Sequence, residues 1–503
     1  MTLLLLMSAA SLLLHALTNG GYNFFRDELY YIACGRHLAW GYVDHPPLVA
    51  VVAALAQAVF PGSLQGLRLF PALAGSATVL LTGLMAHDLG GGRFAQFLAA
   101  LGAILAPVYL SNFTLFTMNA FDILAWTLVA WLLIRILGGG GRGLWLWLGL
   151  AAGAGLMNKI SVGFLLAGLF VGMLATPARA HLRTRGPWLA ALIAVLIFAP
   201  HLAWQAAHGW PTLEFMENAR RLKNFPVSPL GYLQGQVFIM QPLTLPVWLA
   251  GLGSLLFGFC SRRHRALGLA YLLILALFIL TRGKIYYLGP AYTFLLAAGA
   301  GAVERFAKAR RLGWLRPVTT AAFLVGGVAL APFVLPVLPP ARLEAYARAL
   351  NVTGPPEERH RPPRLPQTFA DMFGWEELAV RVARAYQALP PADRVRCVVF
   401  ASNYGEAGAL DFYGPKYGLP RAICGHNSYY LWGPGDESNG RGEVILVVGQ
   451  SQADVEKTYR EVTPVDSTNN EWCMPYEDHL PIFLGRGLKH RLRDIWPKCK
   501  EFI

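Results

Sequence analysis

Long apolar stretches separated by short polar ones fill the first 340 residues, and the pattern changes after that point. Apolar runs lie near 2–18, 47–60, 69–86, 94–110, 120–137, 144–175, 188–206, 232–259, 266–281, 285–303 and 317–338. They predict about eleven membrane helices. Several runs fall short of the ~20 residues that cross a bilayer unaided, so tilted, broken or re-entrant spans are expected, 144–175 being a candidate for a broken one. The first 18 residues lack a basic leader and a cleavage site and read as a retained helix.

Residues 1–340 therefore form one membrane domain. A connector with Pro339, Pro340, Pro355, Pro356, Pro362, Pro363 and Pro366 and a helix follow over 341–394, and 395–503 reads as a soluble α/β domain. In that domain Val395 to Phe400 and Glu443 to Val448 predict strands, and 376–388 and 452–460 predict helices. The expected fold class is a polytopic α-helical membrane protein with a C-terminal extracytoplasmic α/β domain.

Composition agrees: of 503 residues 55% are hydrophobic and only 14% charged, with mean hydropathy +0.42. A net charge of +14 would suggest nucleic acid in a soluble protein. Here the cations cluster in loops, as Arg179, Arg183 and Arg185, Arg262, Arg263 and Arg265, and Arg305, Lys308, Arg310, Arg311 and Arg316. Positive-inside topology accounts for them, and no nucleic-acid partner is expected. That rule places 207–230, 281–284 and everything after about 340 on the opposite, outer face. Four cysteines in the tail, Cys397, Cys424, Cys473 and Cys499, permit two disulfides in three pairings, or remain free buried thiols. Cys34 and Cys260 read as packing residues, and no Cys/His spacing marks a metal site.

Only eight acidic residues precede position 340, against 21 after it. Carboxylates are costly near lipid, so Asp27 and Glu28, just past the first span, invite explanation. They stand in an aromatic segment from Asn23 to Leu48 that predicts a short interface helix ended by Gly41, with Tyr30 and Tyr31 on it and Arg26, Asp44 and His45 on the same loop. Asp27 and Glu28 either cap this helix or act chemically. Asp122 either caps the run beginning at Ile123 or orders an acceptor, a metal or a site loop. Lys159 needs a partner or snorkels. Outer-loop cations, namely Arg220, Arg221 and Lys223 beside Glu214 and Glu217, and Arg282 and Lys284 before Tyr286 and Tyr287, suit an anionic lipid headgroup or a diphosphate-like leaving group. Their alternative is satisfaction by the neighbouring glutamates or water.

The Asp-Glu pair, H-P-P-L at 45–48, the isolated Asp122 and K-I-Y-Y-L-G-P-A-Y at 284–292 resemble the bacterial GT-C glycosyltransferases of family 39, the protein mannosyltransferases and aminoarabinose transferases. The resemblance covers residues 1–340. The tail motifs N-Y-G-E-A-G-A-L-D-F-Y-G and Y-Y-L-W-G-P-G are similar to the extracytoplasmic domain of some bacterial members. It implies inverting transfer of a monosaccharide from a polyprenyl-phosphate donor to an envelope lipid, glycan or secreted protein at the bacterial inner membrane. Asp27 is then the expected catalytic base, with Glu28 and Asp122 in support. His45, Lys284, Arg282 and Arg220 would hold the donor phosphate, and Tyr30, Tyr31, Tyr286 and Tyr287 would meet acceptor or headgroup. Relatives often carry Lys at the position of His45. No cofactor is demanded; the carboxylates are compatible with a divalent metal. A lipid-linked-sugar flippase and a glycan-binding membrane scaffold are the alternatives.

Overall fold

The computed structural model describes every residue except 224–226, 259, 261, 352–360 and 437–439. Pro355 and Pro356 of the connector lie outside the described residues. The chain divides into two compact units, a helical one of residues 1–21, 65–204 and 226–337 and a sheet-bearing one of 22–64, 205–225 and 338–503.

By length and composition five described helices can cross a membrane, Leu64–Asp88, Met118–Leu137, Arg185–Ala207, Arg262–Leu280 and Leu315–Phe333, or seven if each bent pair is one span. Shorter apolar helices, Thr2–Thr18, Leu48–Val59, Leu144–Asn158 and Val162–Leu174, occupy other apolar runs of the sequence.

The bends in the helical unit follow from proline. Helices Arg93–Leu105 and Pro107–Thr114 meet at 60°, and Pro229–Ile239 and Pro242–Phe257 at 91°. Each proline drives the residue before it out of helical backbone: Ala106 is extended and Gln241 sits at φ +69°. The run 144–175 breaks at Lys159, whose backbone is extended. The run beginning at 285 opens with a 3₁₀ segment, Ile285–Ala291, before the helix Tyr292–Ala309. Small residues set the closest packing. A Cβ on Gly251 would lie 2.0 Å from the Leu295 carbonyl oxygen, and one on Gly299 would lie 1.9 Å from that of Val247. Helices Leu245–Phe257 and Tyr292–Ala309 thus touch backbone to backbone, as apolar helices in lipid do.

The sheet-bearing unit holds five strands: β1 (Cys397–Ala401), β2 (Ala422–Cys424), β3 (Val444–Val448), β4 (Tyr459–Ser467) and β5 (Pro481–Leu488). Their order is β2-β1-β3-β5-β4. The pairs β1–β2 and β1–β3 are parallel, and β5 runs antiparallel to β3 and β4. Strand β3, Val-Ile-Leu-Val-Val, is buried along its whole length, as a central strand covered on both faces requires. Helices Trp375–Gln387 and Gln452–Thr458 accompany the sheet. All six cysteines are free thiols.

The interface helix spans Arg26–Arg36. It stops well before Gly41 because His37 leaves helical backbone and its Nδ1 donates to the Ala33 carbonyl at 2.9 Å. The helix Tyr404–Tyr413 packs against it through two glycines. A Cβ on Gly405 would lie 2.5 Å from Arg26 Cγ, and one on Gly408 would lie 3.1 Å from the Leu29 carbonyl carbon. The tail motif N-Y-G-E-A-G is therefore a helix start built for close approach.

Candidate active site

Glu28 occupies the third position of the interface helix and is fully buried. Its Oε2 accepts the Phe25 backbone N–H at 2.8 Å, satisfying a donor that the helix start leaves open. Asp27, one residue earlier, points elsewhere. Its Oδ1 accepts the Tyr404 hydroxyl at 2.9 Å and lies 3.7 Å from Arg26 Nε. The side chain keeps 30% exposure. Sequence position alone does not separate these two carboxylates; their partners do.

Arg26 and Asp27 are clasped by three stretches of the tail, those carrying Asp371, Asn403 and Tyr404, and Tyr476. Arg26 Nη1 donates to the Tyr476 hydroxyl at 2.5 Å and pairs with Asp371 at 3.5 Å, while its backbone N–H donates to the Asp371 carbonyl. Asn403 ties the loops to each other. Its Oδ1 caps the Tyr404 helix by accepting from Gly405 and Glu406 N–H, and its Nδ2 donates to Glu406 Oε1 at 2.8 Å and Glu477 Oε1 at 3.0 Å. Both glutamates are buried. Burial and mutual repulsion push the Glu406 carboxyl well above the usual range, and burial lifts Glu477 to about 7.

Three loops leave the carboxyl ends of the parallel strands, and the one with Asn403 is the first of them: Ser402 to Glu406 follow β1, Gly425 to Ser428 follow β2, and Gly449 follows β3. Because the chain passes from β1 to one side and then crosses to the other, its switch point lies between β1 and β3, where open α/β sheets hold their ligands. Ser402 Oγ donates there to the Val448 carbonyl at 2.6 Å.

His45 is fully buried among Tyr42, Tyr31 and Tyr30, with ring centroids at 4.6, 5.1 and 5.9 Å. Its Nδ1 lies 2.8 Å from the Pro46 carbonyl oxygen and must donate to it, so Nε2 is the nitrogen left to work. Nε2 has no hydrogen-bond partner among the described residues. The Tyr30 hydroxyl reaches Asp44 Oδ1 and Ser428 Oγ, each at 2.8 Å. Burial raises the Asp44 carboxyl, against the opposing pull of His45 and Tyr30. His426, 4.8 Å from the Tyr404 ring, donates through Nε2 to the Ile503 carbonyl at 2.7 Å, and burial lowers its pKa to about 3.

Asp27, Glu28, Tyr30, Tyr31 and His45 are thus gathered in the sheet-bearing unit. Arg220 shares that unit but is exposed and bonds Glu217 at 3.0 Å. Lys223, in the same turn, lies 5.9 Å from the Tyr404 ring centroid.

The other expected residues belong to the helical unit. Thr117, not Asp122, caps the helix Met118–Leu137, accepting the Asn119 N–H. Asp122 is buried within that helix, accepting from Ser161 Oγ at 2.5 Å and facing Lys159 at 3.7 Å. Lys159 Nζ donates to Asn119 Oδ1 at 2.7 Å and lies over the rings of Tyr286 and Tyr287 at 5.6 and 5.0 Å. Lys284 precedes the 3₁₀ segment carrying those tyrosines, and Arg282 is exposed at φ +55°.

Tyr404, Asn403, Glu406, Asp371, Tyr476 and Glu477 were not expected from the sequence; the one signal was the tail motif beginning at Asn403. Among the described residues no group of three or more His, Cys, Asp or Glu is arranged to hold a metal ion.

Residues 44–204 match the family model for dolichyl-phosphate-mannose-protein mannosyltransferase. No curated protein matches the chain. Among solved structures, ArnT from Cupriavidus metallidurans bound to undecaprenyl phosphate is similar at TM-score 0.62 and 14% identity, over 95% of this chain and 97% of that one. The archaeal oligosaccharyltransferase AglB from Archaeoglobus fulgidus, in complex with an inhibitory peptide and a dolichol-phosphate, gives TM-score 0.52 at 11% identity over 88% and 69%. The mycobacterial arabinofuranosyltransferase AftD gives 0.52 at 15% identity over 95% and 41%. A likeness at such identities speaks for the fold. With apolar helices, a small C-terminal sheet and these neighbours, the chain is a multi-pass membrane protein of the GT-C glycosyltransferase fold.

Proposed function

We propose that this protein transfers a monosaccharide from a polyprenyl-phosphate donor to an envelope lipid, glycan or secreted protein, with inversion, on the outer face of the bacterial inner membrane. The observation that carries this reading is the Asp27 carboxylate: one oxygen is held by a hydroxyl and the side chain stays partly open, within a fold shared with ArnT. As general base, Asp27 takes the proton of the incoming hydroxyl as it attacks the anomeric carbon opposite the phosphate. The carbon–oxygen bond to the phosphate breaks, and the carrier phosphate leaves with the electron pair.

A phosphate needs no separate acid once fixed positive charge meets its developing charge. His45 Nε2 suits that task in the protonated ring, where both nitrogens donate. Arg220, Lys284 and Arg282 are further candidates for the phosphate through their charge. Glu28, fully engaged at the helix start, supports Asp27 by fixing the first turn. Asp122 is proposed to keep Lys159 and its tyrosines in place, and Tyr30, Tyr31, Tyr286 and Tyr287 to meet acceptor or headgroup.

The test is transfer by the full-length protein in proteoliposomes, using tritiated undecaprenyl-phosphate sugars as donors and envelope extract as acceptor. Asp27→Asn, which keeps the shape and loses the base, is expected to lower the rate by about 100-fold or more at an unchanged amount of folded protein. Undiminished transfer by this variant would remove Asp27 from the role of base.

A further inference from the structure

We infer that the C-terminal domain supplies a working part of the site: Tyr404 is a positioning residue that holds Asp27 in the geometry of a base. The inference rests on the reading of Asp27 given above and deepens it.

Three observations carry it. First, the hydroxyl donates to Oδ1 alone, and Oδ2 accepts no hydrogen bond among the described residues. One oxygen is fixed and the other is left for a substrate proton. Second, the tyrosine is itself held from all sides. Its ring lies 4.8 Å from Tyr30, 4.8 Å from His426 and 5.4 Å from the Arg26 guanidinium. Asn403 caps its helix and is bonded to both buried glutamates. Third, Gly405 and Gly408 bring the backbone of the Tyr404 helix onto the helix that bears Asp27. A docking contact alone would not need a hydroxyl aimed at a partly exposed carboxylate.

A hydrogen bond donated to a carboxylate favours its ionised form, the form a base must have. Tyr404→Phe keeps the ring and removes only the donor. It is expected to lower kcat by about tenfold while KM stays within about twofold of the parent, as a group that orients the base without binding substrate requires.

Thermal unfolding and membrane yield report whether Tyr404→Phe folds. A variant that loses activity only in proportion to lost folded protein overturns the inference. So does a wild-type kcat in Tyr404→Phe while Asp27→Asn is inactive, an outcome that leaves the base assignment standing. Full transfer by Asp27→Asn removes the base assignment and this inference together.

Discussion

His45 shows how much one hydrogen bond decides. With Nδ1–H committed to the Pro46 carbonyl, the neutral ring offers only a lone pair at Nε2, which repels a phosphate oxygen; the protonated ring offers an N–H. His45→Lys supplies a permanent charge at the same position, so if His45 serves the donor phosphate its transfer rate should stay within about tenfold of the parent. Loss of transfer in that variant at an unchanged amount of folded protein would remove His45 from the phosphate site. At this scale the sequence was partly readable. Asp27 and Glu28 stood out because acids are scarce near lipid, yet only the Phe25 and Tyr404 contacts tell cap from candidate base. Tyr404 gave no such signal: tyrosine is common, and the partner lies 377 positions away.

Helices were legible as apolar runs, and a break was expected within 144–175, but the bends at Pro107 and Pro242 were not placed from the sequence. What could not be read was which glycines are contacts. Gly408 and Gly253 look alike in sequence, but a Cβ on Gly408 meets the Leu29 and Tyr30 backbone at 3.1–3.2 Å, whereas one on Gly253 meets nothing within 4 Å. Gly408→Val should prise the two helices apart, costing about 1–3 kcal/mol and most of the activity. Gly253→Ala should be neutral or stabilising by up to about 1 kcal/mol, through helix propensity alone. Thermal unfolding in detergent distinguishes them, and equal shifts would contradict the packing described. The interface helix ended early for a related reason: its stop comes from a side chain folding back onto Ala33, which no glycine or proline announces.

For the whole molecule, composition located the change near residue 340 but not the way the chain is shared out. The sheet-bearing unit also takes residues 22–64 and 205–225. Its stability carries a pH dependence from the glutamates around Asn403. Glu477 holds its proton to about 7 when folded but releases it near 4.5 when unfolded. The folded state then binds more protons than the unfolded one, so this contribution is greatest below about 4.5 and is lost as pH rises to about 7. The loss is on the order of 3 kcal/mol. Glu477→Gln keeps the acceptor for Asn403 and cannot ionise, so its unfolding should vary less between pH 5 and pH 8. Hydrogen exchange at residues 402–406 and 474–478 gives a local reading of the same effect. An unchanged slope in the variant would place the dependence on other groups.

The 377-residue separation between Asp27 and Tyr404 also sets a clock. Ribosomes add about 5–20 residues per second, so the segment bearing Asp27 is made roughly 20–75 s before its clasp exists. A nascent chain would have its apolar segments in hand long before Asp27 has its final partner. On the reading proposed for Asp27, synthesis itself defers the finished geometry of the site until the segment bearing Tyr404 has been delivered and folded, and a ribosome stalled before that point leaves Asp27 without its clasp.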